Sequence, residues 1–261
     1  MTALAARRRH RWATPALLFL GLIVTGLVYS AAVPGRAGAA STDNELVAQG
    51  RKLFLANCAT CHGFNAEGRR NAPSLIGVGA AAADFQVGTG RMPLQNPGPQ
   101  APASDQVLFT EEEIAAYAAY VGSLGPGPAI PAGATVDPAD GDPSRGSQLF
   151  RVNCAMCHNF AGKGGALTRG KYAASLVGVS PKHIYEAMVS GPQSMPVFND
   201  QTIDQQGKRD IIAYLNTIEK APSPGGLALG SLGPVSEGLA VWAVGLVLLV
   251  GCAVWLGAKA A

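Results

Sequence analysis

The sequence predicts a mainly α-helical membrane protein, with two copies of one domain between an N-terminal and a C-terminal transmembrane helix. Three observations lead to this prediction: a six-residue pattern that occurs twice, an uncharged stretch near each end, and a low content of charged residues. Charged residues make up 14% of the 261 residues and hydrophobic residues 48%, whereas a typical soluble protein is about 25% charged. This composition excludes a coiled coil and a disordered chain, and it indicates that part of the chain avoids water.

The first uncharged stretch runs from Ala13 to Val33 and follows a cluster of four arginines between residues 7 and 11. The apolar part of a secretory signal peptide is about 7 to 15 residues long, whereas a membrane helix needs about 20. We therefore predict a signal anchor or transmembrane helix over residues 1–35. The small residues at positions 37–40 also fit a cleavage site, so removal of the segment stays an alternative.

The second uncharged stretch, from Leu239 to Ala258, carries Trp242 and Trp255 near its ends, where amphipathic rings favour the membrane interface. A buried core helix is the alternative, but this stretch is apolar on all sides. We predict a transmembrane helix over residues 239–258. Because basic residues favour the cytoplasmic side, both termini are expected there, and the region between the two helices is expected outside.

The repeated pattern reads Asn-Cys-Ala-Thr-Cys-His at residues 57–62 and Asn-Cys-Ala-Met-Cys-His at residues 153–158. Thiols outside the cytoplasm do not stay free, but a disulfide needs no adjacent histidine, a thioredoxin-like motif needs a strand-to-helix setting, and zinc needs four ligands. Covalent haem attachment uses every residue, because two cysteines form thioethers and the histidine binds iron. The predicted haem residues are Cys58, Cys61 and His62 in the first copy and Cys154, Cys157 and His158 in the second.

The repeat extends beyond the motifs, at an offset of about 96 residues. Each motif follows a short amphipathic helix, which we expect to start at a capping box from Thr42 to Glu45 in the first copy and at Asp142-Pro143 in the second. The predicted domains are residues 41–122 and 144–221, joined by a semi-rigid Pro/Gly linker over 123–143 that can hold them at a fixed separation, and a stem over 222–238 follows. A proline-rich insertion over 96–106 is expected to be an ordinary surface loop, with a contact to a partner as the alternative.

The sixth iron ligand of each haem is predicted to be a methionine, Met92 or Met195, each of which precedes a proline in a loop that can cross the far face of the ring. Met156 lies between two anchoring cysteines, on the histidine side. Met188 is expected to pack within a helix, and His183 to be a surface residue rather than an alternative ligand.

These residues resemble class I c-type cytochromes in tandem, and the chain is similar to the dihaem cytochrome c subunit (cytochrome cc) of the actinobacterial cytochrome bc complex, a quinol to cytochrome c reductase. The resemblance implies two covalently bound haem c groups with His/Met ligation, and electron transfer without substrate chemistry or a catalytic residue of its own. It implies cytochrome b and Rieske iron-sulfur subunits and a terminal cytochrome c oxidase as partners, and no nucleic acid. It also implies a multi-pass protein of the cell membrane, with the haem domains on the extracytoplasmic side.

The same resemblance implies a helix crossing in each domain. Gly50 and Phe54 would lie against Tyr117, and Gly146 and Phe150 would lie against Tyr214. The glycine would let the two helix backbones approach closely.

The two predicted domains differ in charge. Residues 41–122 contain 5 Lys and Arg against 8 Asp and Glu, whereas residues 144–221 contain 9 against 5. One hypothesis is that the second domain docks an acidic electron acceptor such as an oxidase, while the first receives electrons from an iron-sulfur protein. A solvated face without a role is the alternative. The proposed docking residues are Lys163, Arg169, Lys171 and Lys182.

Two other functions stay open at this point. A dihaem peroxidase would need an open iron position, and the paired Met-Pro loops argue against it. A cytochrome subunit of another membrane assembly, such as a periplasmic dehydrogenase or a nitrite-reducing complex, would share the tandem domains and the anchors.

Overall fold

The computed structural model describes residues 12–32, 36–70, 72–96, 98–221 and 234–260. The chain divides into two units, residues 1–46 and residues 47–261. The first unit contains helix α1 (Ala13–Ala32) and the start of helix α2 (Arg36–Asn57). The described part of the chain is mainly helical, as the sequence predicts.

The described residues of the rest of the second unit form helices and one small hairpin. The helices are α3 (Ala59–His62), α4 (Ala80–Gly88), α5 (Glu111–Ser123), α6 (Gly133–Val136), α7 (Pro143–Asn153), α8 (Ala155–His158), α9 (Pro181–Ser190), α10 (Gln205–Lys220) and α11 (Pro234–Ala260). Strands β1 (Gly165–Ala166) and β2 (Tyr172–Ala173) pair antiparallel, with Gly165 opposite Ala173.

The helix starts agree with the prediction in one domain and differ in the other. The carboxylate of Asp142 accepts a hydrogen bond from the backbone N–H of Ser144 at 2.8 Å, so α7 begins where the Asp-Pro pair predicts. Helix α2 instead begins at Arg36, upstream of the expected capping box at Thr42. Alanine is the strongest helix former, and the alanines at positions 37, 39 and 40 favour this earlier start.

Each domain contains the predicted crossing of its first and last helices at a glycine. A Cβ atom on Gly50 of α2 would overlap the carbonyl oxygen of Ala116 in α5, and one on Gly146 of α7 would overlap the carbonyl oxygen of Asp210 in α10. The crossing is therefore confirmed in both domains, and in each it brings the helix that leads into the cysteine motif against the last helix of the domain.

The aromatic contacts of the two crossings differ. The ring of Phe150 lies 5.4 Å from that of Tyr214, as predicted, whereas the ring of Phe54 lies 5.2 Å from that of Tyr120. Tyr117 instead places its ring 4.9 Å from Phe109. The predicted pairing of Phe54 with Tyr117 is corrected to one with Tyr120, which lies one helical turn further along α5.

Two hydrophobic cores fill the two domains. The buried residues of the first core are Phe54, Ala59, Ala66, Val87, Ile114, Tyr117, Tyr120 and Val121. The buried residues of the second core are Val136, Phe150, Cys154, Ile184, Tyr185, Met188, Phe198, Ile203, Ile211, Ile212 and Leu215.

The two domains touch each other directly, a contact that the sequence did not predict. Helix α9 of the second domain packs on α4 of the first. The side chain of Gln100 hydrogen-bonds both the N–H and the carbonyl of Tyr172, at 2.9 Å each. The side chain of Gln193 does the same at Ala101, at 3.0 and 2.9 Å. The proline-rich insertion is therefore part of the domain interface, and its interpretation as an ordinary surface loop is wrong.

Among the described residues, one helix is long and apolar enough to cross a membrane, Glu237–Lys259 within α11. The described apolar part of α1, Thr14–Leu27, is shorter, so the N-terminal transmembrane helix stays a prediction. Most of the predicted stem, residues 222–233, lies outside the described residues.

Candidate haem sites

The two cysteine motifs adopt the same backbone geometry. The first cysteine of each motif caps a one-turn helix, with φ and ψ of −121° and −31° at Cys58 and −122° and −37° at Cys154. Its N–H donates to the carbonyl of the buried phenylalanine four residues earlier, Phe54 or Phe150, at 2.8 Å. The sequence repeat is therefore a structural repeat, and each site is attached to the helix that crosses at the glycine.

Each motif histidine is oriented by a backbone carbonyl. Nδ1 of His62 lies 2.9 Å from the carbonyl oxygen of Pro73, and Nδ1 of His158 lies 2.9 Å from that of Ala174. Since a carbonyl only accepts, Nδ1 carries the proton, and Nε2 keeps the lone pair that an iron ligand needs. Burial also lowers the pKa of His158, which favours its neutral form, although the hydrogen bond to Ala174 acts in the opposite direction.

The motif cysteines are not joined in disulfides. Burial, with the neighbouring Cys61 adding to it, raises the pKa of Cys58 to about 11. Burial, with Cys157 adding to it, raises the pKa of Cys154 to about 12. Redox-active CxxC pairs and zinc ligands rely on a stabilised thiolate, which would lower the pKa. This environment therefore favours uncharged sulfur, such as the thioether of an attached haem.

The two predicted methionine ligands occupy matching places. Met92 is half-buried and packs against the first core, and Met195 is half-buried and packs against the second. The remaining described methionines behave differently: Met188 is buried in the second core, as predicted, and Met156 is 92% exposed. Met92 and Met195 are thus the methionines that combine a loop position with partial exposure.

A cleft of about 630 Å³ opens beside the second motif, within the usual size range of cofactor sites, about 300 to 1,000 Å³. It brings Cys157 to the same space as Ser194, the residue before Met195. The residues that line it are Cys157, Ala166, Leu167, Thr168, Arg169, Lys171 and Ser194. The cysteine and histidine donors of the motif and a cleft of this size beside Cys157 fit a haem.

The four basic residues proposed for docking an acceptor do not all lie on one surface. Arg169 and Lys171 line the cleft, and Nζ of Lys171 donates to the hydroxyl of Ser194 at 2.9 Å. Lys182 instead lies 2.8 Å from Oδ2 of Asp84. It belongs to the domain interface, so its assignment to a docking surface is corrected.

Sequence reasoning missed a group of buried polar side chains at the domain interface. Asp84 and Glu186 are buried and lie near His183, which is mostly shielded rather than on the surface as predicted. The one signal in the sequence was an isolated aspartate after four alanines at residues 80–83, within a helix that otherwise reads as apolar.

Comparison with known protein families gives one match for each domain. Residues 47–125 match the cytochrome c family, and residues 141–215 match the family of cytochrome c oxidase, cbb3-type, subunit III. The fold and the repeated site therefore define a tandem c-type cytochrome. Such domains indicate haem c as the cofactor and electron transfer as the role.

Three curated relatives extend over nearly the whole chain, and each is described as a cytochrome bc1 complex cytochrome c subunit. The Mycobacterium tuberculosis protein is 43% identical, with 97% of this chain and 93% of the relative covered. The Corynebacterium diphtheriae protein is 42% identical, with 98% and 97% covered. The Corynebacterium efficiens protein is 42% identical, with 93% and 87% covered. The chain belongs to the family of cytochrome c subunits of the cytochrome bc1 complex.

Proposed function

We propose that this chain carries two covalently bound haem c groups and relays electrons through them. Cys58 and Cys61 would hold the first haem and Cys154 and Cys157 the second. The axial ligands would be His62 with Met92, and His158 with Met195. A haem with one histidine and one methionine ligand supplies a one-electron carrier of raised reduction potential. The observation that carries the proposal is the twofold occurrence of one site geometry, with a carbonyl orienting the histidine each time.

The proposed place of this relay is a membrane-bound quinol to cytochrome c reductase. The first domain would take electrons from a Rieske iron-sulfur protein, beside cytochrome b, and the second would pass them to a terminal oxidase. Identity of 42–43% to proteins described as subunits of this complex, over almost the full chain, supports the assignment. The chain itself would bind, orient and shield the haems and would perform no substrate chemistry.

The proposed topology places both haem domains outside the cytoplasm. Helix α11 would anchor the C-terminus, and the stretch from Ala13 to Val33 would anchor the N-terminus. The arginines before the first stretch and Lys259 after the second support a cytoplasmic position for both ends.

The proposed exit for electrons is the basic rim of the second site. Arg169 is exposed, and Lys163 and Lys171 are half-buried. Because Arg169 and Lys171 line the same cleft as Cys157, an acidic acceptor steered to them would arrive close to the second haem. The short distance from the acceptor to the second haem and the electrostatic attraction of the acceptor to the basic residues would both favour electron transfer.

Haem content and ligation can be tested on the purified full-length protein. Intact-mass measurement should show two attached haems, and the near-infrared spectrum should show a methionine-to-iron band. Met92→Leu and Met195→Leu should each remove about half of that band, because each removes one of two equivalent ligands. Met156→Leu, at an exposed position, is the control and should leave the band unchanged. Fewer than two haems, or a band that survives both ligand substitutions, would refute the proposal.

The complex can be tested by affinity purification in a mild detergent. Cytochrome b and Rieske polypeptides should copurify with the chain, together with a terminal oxidase. Recovery of a dehydrogenase in place of cytochrome b would contradict the assignment to this complex, while leaving the haem proposal intact.

A further inference from the structure

Three potential ligand atoms converge where the two domains meet. Asp84 lies on α4 of the first domain, and His183 and Glu186 lie one turn apart on α9 of the second. Nε2 of His183 is 3.6 Å from Oδ2 of Asp84 and 4.0 Å from Oε2 of Glu186. All three ligand atoms lie within 4.8 Å of one another, which is close enough for one ion to bind them with small side-chain adjustments.

The cluster is buried, and its polar atoms are poorly satisfied. Glu186 is 0% exposed and Asp84 is 4% exposed. Within the part of the chain that the structure describes, no hydrogen-bond partner reaches either carboxylate oxygen of Glu186 or Nε2 of His183. Buried carboxyl oxygens without partners are rare, because leaving such a group unsatisfied costs about 1 to 3 kcal/mol or more. These atoms are aimed at one another across the interface, so a shared ligand would satisfy all of them.

Asp84 and Glu186 place two acidic side chains together in this buried cluster. Burial and the charge of Asp84 raise the pKa of Glu186 to about 9. Lys182 faces the pair, with its Nζ 2.8 Å from Oδ2 of Asp84, and Glu111 adds a further acidic group near this lysine. This raised pKa leaves a proton on Glu186 near neutral pH, and a bound metal ion would displace that proton.

Two residues of α4 pack against the imidazole of His183. The ring of Phe85 meets that of His183 edge-on, at 6.1 Å between centroids. A Cβ atom on Gly88 would lie 3.1 Å from Nε2 of His183, so the glycine leaves the space into which the imidazole nitrogen points. The imidazole is thus packed against Phe85 and Gly88 of α4, with Nε2 at the distances from the two carboxylates given above.

We propose that Asp84, His183 and Glu186 form a binding site for a divalent transition-metal ion of the zinc class, which bridges the two haem domains. An imidazole nitrogen with two carboxylates is a ligand set that Zn²⁺ accepts, with a solvent molecule as a fourth ligand. Mg²⁺ and Ca²⁺ prefer oxygen ligands alone. Since the ligands come from α4 and α9, the ion would tie the two domains together.

Lys182 is the natural competitor of the ion, because its ammonium pairs with the same oxygen of Asp84. Its side chain is 35% exposed, so it can turn to solvent when a doubly charged ion takes its place. This competition makes a prediction that an ordinary structural ion pair does not: removing the lysine charge should tighten metal binding.

The test uses the full-length haem-loaded protein, stripped with a chelator and titrated with Zn²⁺ alone. Bound zinc is measured by mass spectrometry after gel filtration, and its ligands by zinc-edge X-ray absorption. The wild type should bind one Zn²⁺ through nitrogen and oxygen. Glu186→Gln should weaken binding more than about tenfold, and Lys182→Met should strengthen it. Asp105→Asn removes one exposed acidic charge elsewhere and should change nothing.

Haem absorption, recorded on each variant, shows that both domains are folded and separates this test from that of the haem proposal. The metal site is refuted if the chelator-treated wild type takes up no zinc, if Glu186→Gln binds it as tightly as the wild type, or if the absorption edge shows sulfur ligands.

Discussion

At the scale of single residues, Gly50 and Gly146 decide how closely the helices of each domain approach. Gly→Ala in a helix normally stabilises, because alanine has the higher helix propensity. At Gly50 the added Cβ atom would overlap the backbone of Ala116, and overpacking of this kind costs about 1 to 3 kcal/mol. We expect Gly50→Ala to lower the free energy of unfolding of the first domain by that amount, measured by denaturant titration of the detergent-solubilised protein.

Gly133→Ala is the matched control, because a Cβ atom added at this position, at the start of α6, would have no other atom within 4 Å. It should leave stability unchanged or raise it slightly. Equal destabilisation by both substitutions would mean that the crossing at Gly50 is looser than the structure shows.

Tyr117 and Tyr214 occupy equivalent positions in the two domains, but their hydroxyl groups make different hydrogen bonds. The hydroxyl of Tyr117 accepts from the side-chain amide of Asn57 at 2.9 Å and lies 3.3 Å from the carbonyl of Leu53, inside the first domain. The hydroxyl of Tyr214 donates to the carbonyl of Phe160 at an exposed position. Tyr117→Phe should cost about 1 kcal/mol of unfolding free energy, and Tyr214→Phe clearly less, since water can replace the lost partner. Thermal unfolding of the two variants side by side checks the difference.

At the scale of elements, the loop over residues 98–106 is attached to the second domain by Gln100 and Gln193. Gln193 hydrogen-bonds the backbone of Ala101, and Ala101 is only 7% exposed. Gln193→Ala removes the hydrogen bonds to both the N–H and the carbonyl of Ala101. This loss should lower the free energy of local unfolding of the loop by about 1 to 3 kcal/mol. We expect faster amide hydrogen exchange in this loop and easier cleavage by protease.

Gln100→Ala is the comparison, because its partner, the backbone of Tyr172, belongs to an exposed residue. It should loosen the loop less than Gln193→Ala. An unchanged exchange rate in Gln193→Ala would mean that other contacts hold the loop.

At the scale of the whole molecule, the basic residues of the second domain divide into two roles. Arg169 and Lys171 lie at the cleft, while Lys182 holds the domain interface. Reversing Lys163, Arg169 and Lys171 to Glu should slow electron delivery to an acidic acceptor by about tenfold or more at low ionic strength. The difference should shrink as salt shortens the Debye length to about 3 Å at 1 M. Stopped-flow oxidation of the haems at several salt concentrations measures this.

The control carries the same change in net charge at exposed positions outside the cleft, with Lys52, Arg151 and Lys220 reversed to Glu. It should slow electron delivery much less. If the two triple variants behave alike, the net charge of the protein matters and the cleft does not.

The sequence alone determined the features that depend on local spacing. Two cysteines and a histidine within five residues are kept close together by the chain itself, so both motifs and their repeat could be predicted. The glycine crossings followed from the resemblance and from the need for close helix approach. The start of α2 could not be predicted as well, because helix propensity upstream competed with the capping box.

Only the tertiary structure decided how the two domains meet. Ala101 and Gln193 are 92 residues apart in the chain, and neither the proline-rich loop nor Lys182 carries a local signal of its partner. The same holds for Asp84, His183 and Glu186, which form no motif in the sequence and become a potential metal site only when α4 and α9 pack together. A local pattern can indicate a haem site because the two cysteines and the histidine of each motif are neighbours in the chain, whereas an interface depends on which distant surfaces are complementary.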